Sequence, residues 1–407
     1  MAVPTRKVEL GFDETAPGDF FQLDSSVRGL LDNTVYVLSG AGYKDVTEYV
    51  TNIAISRGKN RQLDRFNAGR VSVGFNNRNR YFDPTYASSP YYGQIVPRRD
   101  IRVTKNGIMQ FVGVVDDWNL EYSPDGTSTA ETTGYDGFAI LAKQTLTGGT
   151  ATSQLSGARI NAVLSDAGVN WSPSARAIDA GQETLQADVI PVAQDVIGYI
   201  NTIEQTEPGI FFIDKNGKAV FKDRASQVAS SGATILADDG TGISYSSIKV
   251  NYGSELLYNQ AEISRLNGGT AIGNDYTSQA SYGIRTYSAT GLLHNTDAAL
   301  ANLAAYLVNQ YSQPEFRFDE VEIDLTRLNT ADQNTILGLE IGSVCRIKFT
   351  PNGISPAISK YAEIIAINES SSLTQDIVTL GFQTLDLGLF ILDDSAFGLL
   401  DYNSIGY

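Results

Sequence analysis

Apolar and small or polar residues alternate through Val71-Ser72-Val73-Gly74-Phe75, the period-two signature of a strand with one buried face. A Tyr- and Pro-rich loop follows, then Ile101 to Thr104, the pair Asn106-Gly107, and a return from Met109 to Val115. Asn-Gly tolerates positive φ and predicts a tight type I′ turn. Trp118, Leu120 and Tyr122 alternate with Asn119 and Glu121 until Asp125-Gly126 reverses the chain into Ala130 to Gly134. The order returns later: Val321 to Leu325 alternates like the opening strand, Val344 to Phe349 leads to Asn352-Gly353, and Tyr361 to Ile367 is followed by Ile377 to Phe382. This echo predicts two related antiparallel β-barrels in one chain. Pattern alone leaves the blander alternative open, because strands and Asn-Gly turns are common enough for any two meanders to look alike.

Helical spacing occupies the stretch between the two runs. Ile160, Val163, Leu164 and Ala167 predict one helix, with Ser156 as its cap and Gly168 at its end. A second is signalled by Val192, Val196, Tyr199, Ile200 and Ile203, stopped by Pro208-Gly209, and a hairpin turns at Asn216-Gly217. Leu300, Leu303, Ala304, Leu307, Val308 and Tyr311 line one face of the clearest helix. The predicted fold class is mainly β with a smaller α/β part. Its divisions are an amino-terminal arm over 1–31 with one strand near Lys7 to Leu10, a first barrel over 32–145, an α/β insertion over 146–240, a β segment with the long helix over 241–314, a second barrel over 315–385, and an apolar tail over 386–407 expected to dock on a surface.

At 407 residues the chain exceeds one ordinary core, and 38 Gly with 21 Tyr at 19% charged residues suit a turn-rich, strand-rich protein. No run of 18 apolar residues and no signal-peptide pattern occurs, so cytoplasmic synthesis without membrane insertion is expected. Cys345 is the only cysteine and sits in an apolar strand, which excludes an internal disulfide and points to a packed thiol. Residues 57–105 hold eleven Lys or Arg against three Asp, a local +8 in a chain of net charge −16, so −24 falls elsewhere. Interleaved with Tyr81, Phe82, Tyr86, Tyr91 and Tyr92, these cations fit either a single-strand nucleic-acid binder or a polar subunit interface. The interface reading is favoured, since no nucleic-acid fold signature accompanies them; its candidates are Arg78, Arg80, Tyr91, Tyr92, Arg98 and Arg99.

Catalytic chemistry finds little support. His294 is the only histidine, so multi-His metal sites are excluded and a Ser-His-Asp triad would hang on one loop residue. Asp116 and Asp117 are strand neighbours whose side chains should point to opposite faces, unsuited to flanking one glycosidic bond. Asp238-Asp239-Gly240-Thr241-Gly242 lacks the alternating ligands and closing Glu of a calcium loop and predicts a turn. No phosphate loop ending in Lys-Ser or Lys-Thr is present. Neither an enzyme nor a cofactor is expected.

Arg61 to Gly69, Asn76-Asn77-Arg78, Phe82-Asp83-Pro84, Ser89 to Gly93, Pro97-Arg98-Arg99 and Phe111-Val112-Gly113 together resemble the amino-terminal domain of minor tail proteins of long-tailed, siphovirus-type bacteriophages. Ser278 to Arg285, Leu339 to Gly342 and the ending Phe390 to Tyr407 fit the same group, so the resemblance spans most of the chain. Within it the tail-hub or baseplate-hub type matches best. The resemblance implies two tube-type barrels, a homotrimer at the distal end of the tail tube, and a place in the virion. The implied partners are the distal tail protein, the tail tube, the tape measure protein and tip fibre or spike proteins, with Phe390, Leu392, Phe397 and Leu400 as docking candidates of the tail. DNA would pass through an acid-lined lumen without specific binding, leaving the basic segment to protein partners. The chain carries no long carboxy-terminal extension for receptor binding or cell-wall cleavage, so those tasks are expected of other proteins. The alternatives are a hexameric distal tail ring, a receptor- or carbohydrate-binding protein using loop 81–92, and a cell-wall hydrolase.

Overall fold

A computed structural model describes residues 3–12, 42–226, 233–385, and the short strands at 389–390 and 404–405. The fold is mainly antiparallel β with a few helices, and its centre is one 13-stranded sheet. The first half supplies β1 (Arg6–Phe12), β2 (Gly42–Asp45), β3 (Val50–Gly58), β4 (Asn67–Asn76), β5 (Asp100–Lys105), β6 (Ile108–Tyr122) and β7 (Ser128–Tyr135). The second half supplies β8 (Thr234–Ala237), β9 (Ser247–Gly253), β10 (Glu315–Asp324), β11 (Val344–Phe349), β12 (Ile358–Ser371) and β13 (Asp376–Thr384).

Spatial order runs β9-β10-β13-β12-β3-β4-β7-β6-β5-β1-β2, with β11 on β12 and β8 beyond β11. Each half therefore contains the same meander: β4-β7-β6-β5 in the first and β10-β13-β12-β11 in the second, both with sequence order 1-4-3-2 across the sheet. The preceding strand lies antiparallel on the meander's edge in each case, β3 on β4 and β9 on β10. The long third strand bulges at the same place, at Asp116 in β6 opposite β7 and at Ile365 in β12 opposite β13. A shared bulge is a specific feature, since it adds a residue and re-aims the strand. The expected pair of units is present at the level of strand order; among the described residues neither closes into a barrel. One difference is the outer strand: β1 runs antiparallel to β5, whereas β8 runs parallel to β11.

Turn chemistry explains the first hairpin. Asn106 and Gly107 take φ of 49° and 77°, as a type I′ turn requires. Asn352 and Gly353 also have positive φ, but they sit in a 3-10 turn inside a longer loop, so β11 and β12 are not joined by a two-residue hairpin.

Helices α1 (Ser156–Ser165) and α2 (Val196–Thr206) share a core with the three strands Arg176–Ile178, Ile210–Ile213 and Ala219–Lys222, and this core runs on into that of the second meander. Ser156 is the first helical residue rather than the cap; its hydroxyl is spent on the buried carboxylate of Glu207. Val192 lies before α2 and is 80% exposed, because Asp195 starts the helix by accepting from the Gly198 amide. Helix α3 (Asp297–Tyr311) is capped by Thr296 and lays Leu300, Leu303, Ala304, Leu307, Val308 and Tyr311 against Ala261 and Ile263 of a separate three-stranded sheet. Each large side chain in that stripe contributes roughly 1.5–3 kcal/mol by leaving water. Cys345 is buried in β11, where burial pushes its thiol up to about 12. Among the described residues no helix is long and apolar enough to cross a membrane.

Candidate functional site

Cross-strand partners share a face, so the register traces both surfaces of the central sheet. One row of partners runs Ile323–Val378–Glu369–Ile55–Val71–Gly134–Val115 and faces the core. The next row runs Asp324–Ile377–Ser370–Ala54–Ser72–Thr133–Asp117 and faces away from it. On the same outer face lie Ser247–Glu322–Thr379–Asn368–Ser56–Arg70, and further along β4, β7 and β6, Gly74–Glu131–Asn119 and Asn76–Thr129–Glu121. This surface crosses both halves without a break. It is built from Ser, Thr, Asn and small residues, and within these rows and the adjoining pair Lys249–Glu320 the carboxylates Asp117, Glu121, Glu131, Glu320, Glu322 and Asp324 outnumber the cations Arg70 and Lys249. Ser56 Oγ meets Asn368 Oδ1 at 2.6 Å across the joint between the halves, Ser72 donates to Glu131, and Lys249 pairs with Glu320.

The joint itself is the pairing of β3 with the second half of β12, from Ala366↔Gly58 to Ser371↔Ile53. Gly58, at φ +115°, packs so tightly that a Cβ would lie 2.2 Å from the Ile365 carbonyl oxygen. Beneath the joint, Lys105 at the end of β5 reaches Glu369 at 2.8 Å and Asp376 at 2.7 Å, all three essentially inaccessible. Burial alone would push the Lys105 ammonium down in pKa, and the two carboxylates hold it above its ordinary value. Burial pushes Asp376 up despite the neighbouring ammonium. Arg6 adds a hydrogen bond to the Ser372 carbonyl, 2.9 Å. Nearby, the buried Arg57 pairs with Glu340 at 2.8 Å, while Lys215 donates its backbone N–H to Glu340 and its ammonium to the last carbonyls of α4 (Thr330–Gly338). The insertion and both meanders are tied at this point.

The basic segment is thus not a single docking face. Arg57, Lys59 and Lys105 are buried; Lys59 donates to the Gln62 carbonyl and lies over Phe66, and Arg102 is held by Glu9 above the Tyr43 ring. Among the sequence candidates, Arg78 and Arg98 are exposed, and Arg80 is held by Asp83 over the Tyr86 ring. Tyr91 must be corrected from a surface residue to a core one: it is 6% exposed and packs against Phe12 and Phe82, while Tyr92 beside it is 56% exposed. Loop 77–99 folds inward because Phe82 stacks on both Phe75 and Trp118, which also stack on each other, in one aromatic cluster of the first core. A glycan platform on Tyr91 and Tyr92 together is therefore not available. Leu392, Phe397 and Leu400 lie outside the described residues, and of Phe390 only its strand pairing, Leu389–Phe390 beside Ser404–Ile405, is described.

The chemical candidates resolve as follows. Asp116 and Asp117 are both exposed, because the bulge at Asp116 interrupts the alternation that would have separated them. Asp239 caps its own turn through Thr241 and pairs with Lys348, and Asp238 accepts from Thr350. His294 is buried with Glu183 3.4 Å away, and neither ring nitrogen has a hydrogen-bond partner among the described residues. Among the described residues no cluster of His, Cys, Asp and Glu suits a metal ion.

What sequence reasoning missed is a pair of open strand edges. In β6 the stretch Asp117–Tyr122 pairs with β7 on one side and, among the described residues, has no strand on the side where β5 has ended; among the same residues β9 pairs only with β10. The signal was present in the matched runs Ile53-Ala54-Ile55-Ser56-Arg57-Gly58 and Ile248-Lys249-Val250-Asn251-Tyr252-Gly253.

No family model matches the sequence, and no curated protein matches it either. Solved structures do share its fold. The 43 kDa tail protein of prophage MuSo2 from Shewanella oneidensis is similar at a TM-score of 0.56 and 14% identity, over 93% of this chain and 97% of that one. A tail protein from Neisseria meningitidis gives 0.60 and 10%, over 94% and 97%. The Escherichia coli c3393 protein, a type VI secretion component described as structurally similar to the T4 tail proteins gp27 and gp5, gives 0.51 and 11%, over 83% and 74%. The chain has the fold of these two tail proteins and of the tail-like secretion component, as its sequence motifs led one to expect.

Proposed function

We propose that the chain is a structural, non-enzymatic component of a phage tail, the hub that closes the distal end of the tail tube. The carrying observation is the unbroken polar face over two meanders of the same strand order, in a fold shared with phage tail proteins. Two tube-type units per chain and three chains per ring would present six units to a sixfold tube, so a trimer would meet it without a symmetry mismatch. Each ring would be a closed barrel completed only on assembly, which accounts for a sheet that is open within one chain. Its polar face would line the lumen. Carboxylates there repel DNA phosphates, whereas a basic lining would hold them by counterion release and obstruct ejection. Distal tail, tube, tape measure and tip proteins would dock on the remaining surfaces. No cofactor is required.

The test is copy number per purified particle, by quantitative mass spectrometry against the tube and portal proteins. Three copies are expected. Six copies would replace the hub with a distal ring, and absence from the particle would remove the reading altogether.

A further inference from the structure

We infer that β6 of one copy pairs with β9 of a second copy of this chain in one specific antiparallel register, Asp117↔Gly253 through Tyr122↔Ile248. The inference deepens the hub reading and rests on it for the number of copies, but the register comes from the internal repeat. Within the chain, the second half of β12 is covered by β3. The shared bulges align Asp117 to Tyr122 of β6 with Ala366 to Ser371 of β12. The pairings of β3 with β4 and of β9 with β10 align Ile53–Gly58 with Ile248–Gly253. Carrying the observed contacts Ala366↔Gly58, Ile367↔Arg57, Asn368↔Ser56, Glu369↔Ile55, Ser370↔Ala54 and Ser371↔Ile53 onto the open edges assigns every partner.

The chemistry of the assigned partners fits. On the core-facing side Trp118 meets Tyr252, Leu120 meets Val250 and Tyr122 meets Ile248. On the polar side Glu121 meets Lys249 and Asn119 meets Asn251, the latter taking the place of the Asn368–Ser56 pair inside the chain. A slip by one residue would set Leu120 opposite Lys249 or Asn251 and put each apolar side chain against a polar one. Exposure agrees: Tyr122, Val250 and Tyr252 are 51%, 39% and 70% exposed, whereas their counterparts at the filled joint, Ser371, Ile55 and Arg57, are buried. Unpaired edges with such side chains are templates for another strand. The contact is head-to-tail, with each copy offering both edges, so it propagates from copy to copy, and the copy number of the hub reading closes it into a ring.

Cysteine pairs test the register in the full chain. Leu120→Cys with Val250→Cys, and separately Asn119→Cys with Asn251→Cys, place thiols opposite each other on the two faces. Adjacent antiparallel positions alternate between hydrogen-bonded and non-hydrogen-bonded geometry, so one of the two has the closer spacing. Mild oxidation should give reducible covalent multimers ending at a cyclic trimer, at least tenfold over the shifted pair Asn119→Cys with Lys249→Cys. Hydrogen exchange on the unmodified chain should show amides of 117–122 and 247–253 gaining protection together as concentration rises. Equal cross-linking of the shifted pair, a compact cross-linked monomer, or protection of neither edge in the assembled state would overturn the inference. The two readings separate cleanly. Three copies per particle without the register-specific cross-link retires the register and leaves the hub; the cross-link in a six-copy ring retains the register and retires the hub.

Discussion

The two meanders share a strand order and a bulge but not an environment. The open edge of the second is filled by the first, through β3 on β12, while among the described residues the same edge of the first stands empty. At the filled joint the chain has invested in chemistry that works only when buried: Lys105 between two carboxylates, and a glycine whose backbone touches the next strand. At the empty edge the counterparts are milder. Leu120 stands where Glu369 does, and Gly253 is free of the backbone that crowds Gly58. Permanent contact within a chain can carry a buried ion triad; a contact that must exist apart before it forms is built from side chains that tolerate water.

The sharpest way to break this comparison is Lys105→Met. It strands Glu369 and Asp376 in the core, and loss of one partner from a buried ionic group costs about 3–5 kcal/mol. Chemical denaturation should show that loss, with the wild-type value restored in part when Asp376→Asn is added. A stability unchanged by Lys105→Met would mean the triad is wet and the two halves are not locked. Next in size is a matched pair of glycine substitutions. Gly58→Ala should cost about 2–4 kcal/mol, since φ is +115° and the new Cβ would meet the Ile365 carbonyl oxygen and Ala366 Cα. In the isolated chain Gly253→Ala should stay within about 1 kcal/mol, because its new Cβ meets only the Asn251 side chain. Denaturation midpoints for the two variants decide it, and equal costs would end the distinction between filled and empty edges.

Much of this architecture was legible in the sequence because strands with one wet face announce themselves by alternation. Val71 to Phe75, Trp118 to Tyr122 and Val321 to Asp324 fall where that pattern placed them, while Leu325, expected in the last strand, begins a 3-10 turn capped by Asp324. The aromatic loop misled for a physical reason: Tyr and Phe are equally at home in an interface or a core, and it takes the packing of Phe82 on Phe75 and Trp118, and of Tyr91 on Phe12, to show that loop 77–99 turns inward. Local charge misled in the same way, since Arg57 and Lys105 find their acids hundreds of residues away, at Glu340 and Asp376. Such partners have no local signature. The amino-terminal strand was readable at Lys7 to Leu10, but its pairing with β5 was not, because register across an intervening loop depends on the fold already formed.

A smaller, pH-dependent effect probes the end of the first meander. Asp136 follows β7, caps the short helix Gly137–Leu141 by accepting from the Phe138 amide, and is raised to about 7, chiefly by burial. The folded state holds its proton between about pH 4 and 7 while the unfolded chain has released it, so this group makes stability fall as pH rises through that window. Above 7 both states are ionised and the contribution is level. Relative to Asp136→Asn, which keeps an acceptor but cannot ionise, the wild type should gain roughly 2–4 kcal/mol as pH falls from 7 to 4. Parallel pH profiles for the two proteins would show that Asp136 is solvated.

The smallest effect returns to the empty edge. Lys249 and Glu121 stand opposite each other only in the inferred register, and an exposed cross-strand ion pair contributes about 0.2–1 kcal/mol. Within one chain Lys249→Glu therefore changes stability little, beyond loss of the exposed pair with Glu320. Between chains it sets like charges together at every contact, so association measured by sedimentation should weaken several-fold, and more strongly at low salt than at high. Adding Glu121→Lys should restore it by reversing the pair. The same reversal at the filled joint has no target, because Ser370 and Ala54 occupy the corresponding positions there. Failure of the double variant to recover would detach Glu121 from Lys249 and leave the apolar partners, Leu120 with Val250 and Trp118 with Tyr252, to define the contact by themselves.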